Sequence, residues 1–286
     1  MKKIITPLLT LFALFITHMP AMADSVSAKP TQLGLTEPAT PQMERIVWFH
    51  DSLLMWIITG IVIFVTALMI YVVIRYNAKA NKEASKTTHN VTIEILWTVI
   101  PVLILLVIAV PSFRMLYYLD RTENPEMTLK VTGYQWYWGY EYQGNEDVEG
   151  ISFESYMIPE DEIDESKGQK RLLSTDNVVV LPIDTNIQIL ITSADVIHSF
   201  TVPAFGFKKD AVPGRMNETW VNIKKPGTYF GQCSQICGIK HAYMPIEVRA
   251  VTKEEFAQWV ADKKAQAAND NNQNNAVQIA VVEGVN

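Results

Sequence analysis

Hydrophobic positions fall into two regimes along this chain: long unbroken blocks before about residue 120, and short alternating runs after it. The block at 52–74, SLLMWIITGIVIFVTALMIYVVI, carries no charge. Its length matches the roughly 20 residues a helix needs to cross a bilayer. Trp48 and Trp56 near one end, and Tyr71 and Tyr76 near the other, suit the two interfaces. A second span is expected over 95–118, uncharged from Ile95 to Phe113. Pro101 is tolerable there, because neighbouring helices can satisfy the carbonyl it frees. An earlier apolar stretch opens with Lys2 and Lys3 and closes on Ala21-Met22-Ala23, the pattern of a secretory leader cut after Ala23. The segment 24–51 would then be exported. The connector 75–94 holds Arg75, Lys79, Lys82 and Lys86, with Glu83 its single acid as far as Asn90, which places it in the cytoplasm. Both flanks then lie outside, in agreement with the leader.

From Met127 the runs shorten to strand length. TLKVTGYQWYWGYEY, NVVVLP, NIQILIT, ETWVNIK and MPIEVRAV are rich in β-branched and aromatic residues, with Pro, Gly, Asn and Asp between them. They predict an all-β sandwich or barrel over 127–264. Near its end, Thr252 and Glu255 have the spacing of a capping box, and Phe256, Trp259 and Val260 share one helical face. The Asn-, Gln- and Ala-rich stretch 265–286 reads as a disordered tail.

Charge narrows the function classes. A net charge of -6 argues against a nucleic-acid partner. Between Glu141 and Glu165 stand ten acids and no lysine or arginine: either a solvated loop or a face that steers a basic partner. The two cysteines fall in GQCSQICGIKHAYMP, at 231–245. A disulfide between Cys233 and Cys237 would close a loop too short to constrain the unfolded chain much, and would leave His241 and Met244 unexplained. Zinc on Cys233, Cys237, His241 and His198 is a stronger rival. The thioether of Met244 argues instead for copper. Cys237, His241 and Met244 with an upstream His198 give the ligand order of a blue-copper site, and Cys233 adds a second thiolate. Two thiolates can bridge two copper ions, each terminated by one imidazole. Met244 would cap one ion, and a carbonyl of the 234–236 turn the other. Such a centre carries single electrons.

Two membrane helices, an exported β domain and this ligand set together resemble subunit 2 of the haem-copper cytochrome c oxidases, of bacterial type. The resemblance runs from about Phe49 to Trp259 and includes GYQWYWGYEY, RLLSTDN, DVIHSF, DAVPGR and GQCSQICGIKHAYMP. It implies a two-helix transmembrane hairpin followed by a cupredoxin-like Greek-key β-sandwich. It also implies a dinuclear copper centre, Cu-A, held by His198, Cys233, the Gln235 carbonyl, Cys237, His241 and Met244. Electrons would enter from cytochrome c at Trp136 and leave for the haem and copper of subunit 1, where oxygen is reduced to water. Glu141, Asp147, Asp176, Asp195 and Asp210 match the family's docking acids. Glu94 matches a glutamate at the mouth of a proton path. The implied setting is the inner membrane with the copper domain in the periplasm, beside subunit 1, subunit 3 and lipid. One departure stands out: Gln235 replaces a glutamate that in the family reaches a magnesium ion shared with subunit 1. An amide oxygen is a poorer ligand for so hard a cation, so magnesium is not expected. The rival readings are a copper-free quinol oxidase subunit, a membrane-tethered copper-delivery module, and a zinc-stabilised binding domain.

Overall fold

The computed structural model describes residues 25–283 apart from 29, 30, 32, 121, 123 and 145. The leader expected over 1–23 lies outside the described residues. Helix α1 (Pro41–Phe49) begins at a Thr40 cap whose Oγ1 accepts from Met43 N–H. It runs through a π-helical turn (His50–Leu54) into α2 (Met55–Arg75). The span expected at 52–74 is thus the distal part of one 35-residue helix, Pro41–Arg75, which begins within the segment 24–51. At ~1.5 Å per residue, 35 residues outrun a hydrocarbon core of ~30 Å. Helix α3 (Val91–Asp120) likewise exceeds the expected 95–118 at both ends, and keeps Pro101 and Pro111 inside it. Both helices contain windows of mean hydropathy 2.8 with none of the window buried.

Eleven strands are described. The five-stranded sheet has the order β4 (Ser152–Ser155), β3 (Tyr137–Gln143), β2 (Met127–Tyr134), β6 (Ile187–Ser193), β9 (Asn217–Val221). A four-stranded sheet runs β1 (Ser25–Val26), β10 (Gly227–Gln232), β11 (Pro245–Val251), β5 (Val179–Pro182). A third ladder pairs β7 (His198–Val202) with β8 (Phe207–Ala211). Alternation sets the inward face. On β6, Ile187, Ile189 and Ile191 are buried while Gln188, Leu190 and Thr192 are half-exposed, and each buried aliphatic chain contributes ~1.5–3 kcal/mol. Tyr142 crosses from β3 to the other sheet, where its hydroxyl donates to Val180 O at 2.9 Å and accepts from Val180 N–H at 3.1 Å.

Two further sequence expectations differ from the structure. The run TLKVTGYQWYWGYEY is two strands, joined by a turn at Gln135–Trp136 that pairs Tyr134 with Tyr137. Its aromatic residues hid a turn that lacks Gly, Pro, Asn and Asp. The tail read as disordered is helical as far as Glu283, within α4 (Lys253–Glu283). No Gly or Pro interrupts that stretch, and its Ala and Gln residues are good helix formers. The expected capping box is present: Glu255 N–H donates to Thr252 Oγ1 at 3.2 Å, and Thr252 N–H to Glu255 Oε2 at 2.9 Å. Trp259 then packs on Tyr142 with ring centroids 5.3 Å apart.

The helical hairpin is tied to the β domain by a polar joint. Thr40 Oγ1 donates to Phe205 O at 2.8 Å, and Gln42 Nε2 to Trp220 O at 3.0 Å. Trp220 Nε1 donates to Tyr118 O at 3.0 Å, and Lys209 Nζ pairs with Asp120 at 2.7 Å. The Arg45 guanidinium sits 3.5 Å above the Tyr118 ring centroid.

Candidate metal centre

Two loops of the β domain carry the candidate ligands. His198 opens β7 immediately after the β6–β7 turn; the others lie between β10 and β11. The long loop is pinned at several points. Ser234 N–H donates to Ser199 O at 3.0 Å, one residue from His198. Met244 O accepts from Trp138 Nε1 at 3.2 Å and from Cys233 N–H at 3.3 Å. His241 N–H donates to Gly238 O at 3.2 Å, closing a short 3-10 turn over His241–Tyr243.

These ties bring the donor atoms together. Cys233 Sγ and Cys237 Sγ are 3.8 Å apart, and both thiols are free and buried. His198 Nδ1 lies 3.9 Å from Cys233 Sγ, and His241 Nδ1 lies 3.5 Å from Cys237 Sγ. Gln235 O is 3.3 Å from Cys233 Sγ, and Met244 Sδ is 3.6 Å from Cys237 Sγ. Each thiol therefore faces its own imidazole and one further donor. His198, Cys233 and Cys237 each offer an atom within 4.8 Å of the others, and His241 joins through Cys237.

The surrounding groups prepare the donors. His198 Nε2 is 2.9 Å from Asp195 Oδ1. A carboxylate only accepts, so Nε2 carries the proton and the Nδ1 lone pair points to the sulfur side. Burial opposes the charge on His198, yet Cys233 and Asp195 hold its pKa above the ordinary imidazole value. Burial likewise opposes ionisation of Cys233, but hydrogen bonds with His198 and with the main chain at Gln235 and Ser199 pull its thiol down to about 7. Burial and then the neighbouring Cys233 charge push Cys237 up to about 12. The set of two thiols, two imidazoles, a thioether and a carbonyl fits soft, copper-type ligation.

Residues that the sequence left unmarked complete the cradle. Gly133 lies against the imidazole: a Cβ there would stand 2.8 Å from His198 Cδ2 and 3.0 Å from its Cγ. Gly238 has φ +125°, and a Cβ would meet Trp136 Cζ2 at 2.8 Å. Asp195 was expected as a docking acid, but its carboxylate is occupied. It accepts from Gln135 N–H at 2.6 Å and Val196 N–H at 2.6 Å as well as facing His198. Ser193 Oγ donates to Val196 O and lies 3.3 Å from Asp195 Oδ1, steadying the same turn.

The other expected residues are dispersed. Trp136 is half-buried beside the site, and its Nε1 donates to Cys237 O at 3.2 Å. Asp176 is exposed and accepts from Tyr156 N–H at 2.8 Å, next to the stacked rings of Tyr156 and Tyr137. Glu141 is paired with Lys130 at 2.8 Å, which with Gln143 lowers its pKa. Asp210 faces Lys208 at 3.5 Å. Asp147 follows β3, at the far end of that strand from Trp136; the strand's seven residues span ~23 Å. Glu94 sits in the first turn of α3, the end of that helix away from the β domain.

Comparisons with known proteins agree on one family. A family model described as "Cytochrome C oxidase subunit II, periplasmic domain" matches residues 127–251. Another, "Cytochrome C oxidase subunit II, transmembrane domain", matches 28–115. The "Probable cytochrome c oxidase subunit 2" of Rickettsia bellii is 50% identical over 243 residues, covering 85% of this chain and 88% of that one. The protein of that name from Rickettsia prowazekii is 48% identical over 262 residues, 92% of this chain and 81% of its own. Among solved structures, the periplasmic domain of subunit II of cytochrome oxidase of Bradyrhizobium japonicum is 44% identical. It aligns over 51% of this chain and 99% of its own length, with a TM-score of 0.46. The chain belongs to the family of cytochrome c oxidase subunit 2.

Proposed function

We propose that this subunit takes electrons singly from reduced cytochrome c at a dinuclear copper centre and hands them to the haem and copper of subunit 1, where oxygen becomes water and protons are translocated. The observation that carries this reading is the pairing within the ligand set. Cys233 has His198 and the Gln235 carbonyl on its side, and Cys237 has His241 and Met244 on its own. A single tetrahedral zinc would draw on four donors, whereas six converge here. When bound, the copper pair supplies a one-electron store whose charge is spread over both ions.

The chain's own residues do the rest. Cys233, Cys237, His198, His241, Met244 and the Gln235 carbonyl hold the metal. Asp195 fixes the His198 tautomer, and burial keeps water away from the thiols. The Trp136 indole joins the exposed turn to a ligand through its hydrogen bond to Cys237 O, so we assign electron entry to it. Asp176, beside the exposed Tyr156, is the best placed of the candidate docking acids. Glu141 and Asp210 face lysines, and Asp147 lies beyond the far end of β3. Glu94 at the head of α3 is assigned to the entrance of a proton path toward subunit 1. Gln235 presents an amide where a carboxylate would bind magnesium, so we assign no magnesium to it.

In this reading the leader is removed after Ala23 and residues 75–94 face the cytoplasm. The β domain then stands in the periplasm above the inner membrane, with subunits 1 and 3 and lipid around the hairpin. Rapid mixing of ferrous cytochrome c with the purified oxidase tests electron entry. Trp136→Phe should slow the bimolecular phase at least tenfold while copper content stays at the wild-type level. An unchanged rate would remove Trp136 from the path.

A further inference from the structure

Gln135 occupies the turn between β2 and β3, and it reaches both loops that carry metal ligands. Its main-chain N–H donates to Asp195 Oδ2 at 2.6 Å, while Oδ1 of the same carboxylate faces His198 Nε2 at 2.9 Å. Its side-chain amide donates to Cys237 O at 2.9 Å. One residue thus grips the partner of one imidazole and the carbonyl of one thiol, across sequence separations of 60 and 102 residues. We propose that Gln135 is a positioning residue that fixes the distance between the His198 half and the Cys237 half of the metal site. The inference rests on the copper reading given above.

The metal loop makes such a clamp necessary. Ser234, Gln235, Ile236, Gly238, Ile239 and Lys240 are exposed, so no packed layer among the described residues covers the loop. Ile236 is 82% and Ile239 87% exposed. Cys237 must nevertheless hold its sulfur 3.8 Å from Cys233. Its carbonyl is the point where the β2–β3 turn seizes the loop, through Gln135 and the Trp136 indole together. Gly238 permits that grip, since a Cβ would lie 3.3 Å from Gln135 Nε2 and 2.8 Å from Trp136 Cζ2. The two donors are not equivalent. Trp136 reaches the Cys237 carbonyl alone, whereas Gln135 reaches it and the Asp195 carboxylate, and so links the two halves.

The test uses the purified oxidase carrying Gln135→Met, which keeps length but removes the donor, and Gln135→Lys, which restores a donor. Gln135 is exposed, so neither change disturbs the core. The readouts are the rate at which a cuprous chelator strips copper and the copper hyperfine pattern in EPR. Outer partners of metal ligands typically change metal affinity 10–100-fold. Because Trp136 shares the carbonyl, Gln135→Met should strip about tenfold faster, with an altered hyperfine pattern. Gln135→Lys should return both toward wild type. If both variants strip at the wild-type rate with the wild-type spectrum, the clamp is wrong, even if KM for cytochrome c rises. If the wild-type enzyme holds no copper pair, the site reading itself fails and the clamp falls with it.

Discussion

Each imidazole at the site is set by a small number of contacts that a single atom can disturb. His198 is gripped between Asp195 on its Nε2 side and the bare Cα of Gly133 on its ring face. Gly133→Ala would drive a methyl group into the ring, and overpacking of this kind costs ~1–3 kcal/mol. The variant should lower both the midpoint of thermal unfolding and the copper retained per chain, measured by calorimetry and metal analysis. Wild-type values for both would show that the ring has room to move. The ligands themselves were legible in the sequence, because five scarce donors crowd into GQCSQICGIKHAYMP or stand out as His198. Asp195, Gln135, Gly133 and Gly238 were not legible as parts of the site. Asp195 was expected on the docking face, not behind His198. Glycine and glutamine carry no signal until folding brings residues 60 to 102 positions apart into contact.

At the scale of elements, strands with alternating β-branched residues were readable, and β4, β7, β8 and β10 were not. Those four contain Ser, Lys, Asp, Gly or Gln within four to six residues, and their inward faces are set by neighbouring ladders rather than by local alternation. The membrane helices were recognised from their apolar blocks. Their ends on the β-domain side were missed, since Gln42 and Asp120 there pair with Trp220 and Lys209 of the β domain. On β11, Glu247 is a built-in cost. Burial raises its pKa above the ordinary carboxylate value, although Thr175 N–H donates to it at 2.8 Å. A carboxyl whose folded pKa is raised stabilises the fold below its unfolded pKa, and that contribution is lost as pH rises through the folded value. Glu247→Gln keeps an acceptor for Thr175 without the charge. Its unfolding midpoint in detergent should therefore gain on wild type as pH rises from the acid range toward neutrality. A gain independent of pH would show that ionisation of Glu247 is not the cause.

At the scale of the whole molecule, the polar joint of Thr40, Gln42, Trp220 and Lys209 fixes the β domain against its membrane helices. In the proposed reading this joint holds the metal loop at a set height above the bilayer, which a fixed electron path into a partner subunit requires. Net charge of -6, with ten acids between Glu141 and Glu165, favours approach of a basic donor at low salt. KM for cytochrome c should then rise as ionic strength increases while kcat holds, read from steady-state oxidation; a salt-independent KM would separate docking from these charges. In the proposed centre, two thiols hold two copper ions that share one electron. EPR of the purified oxidase, with copper counted on the same sample, tests it most directly. Two coppers per chain, with one spin coupled equally to both nuclei and lost in Cys233→Ser, is the expected result. A single copper with a localised spectrum, or zinc with none, would contradict it.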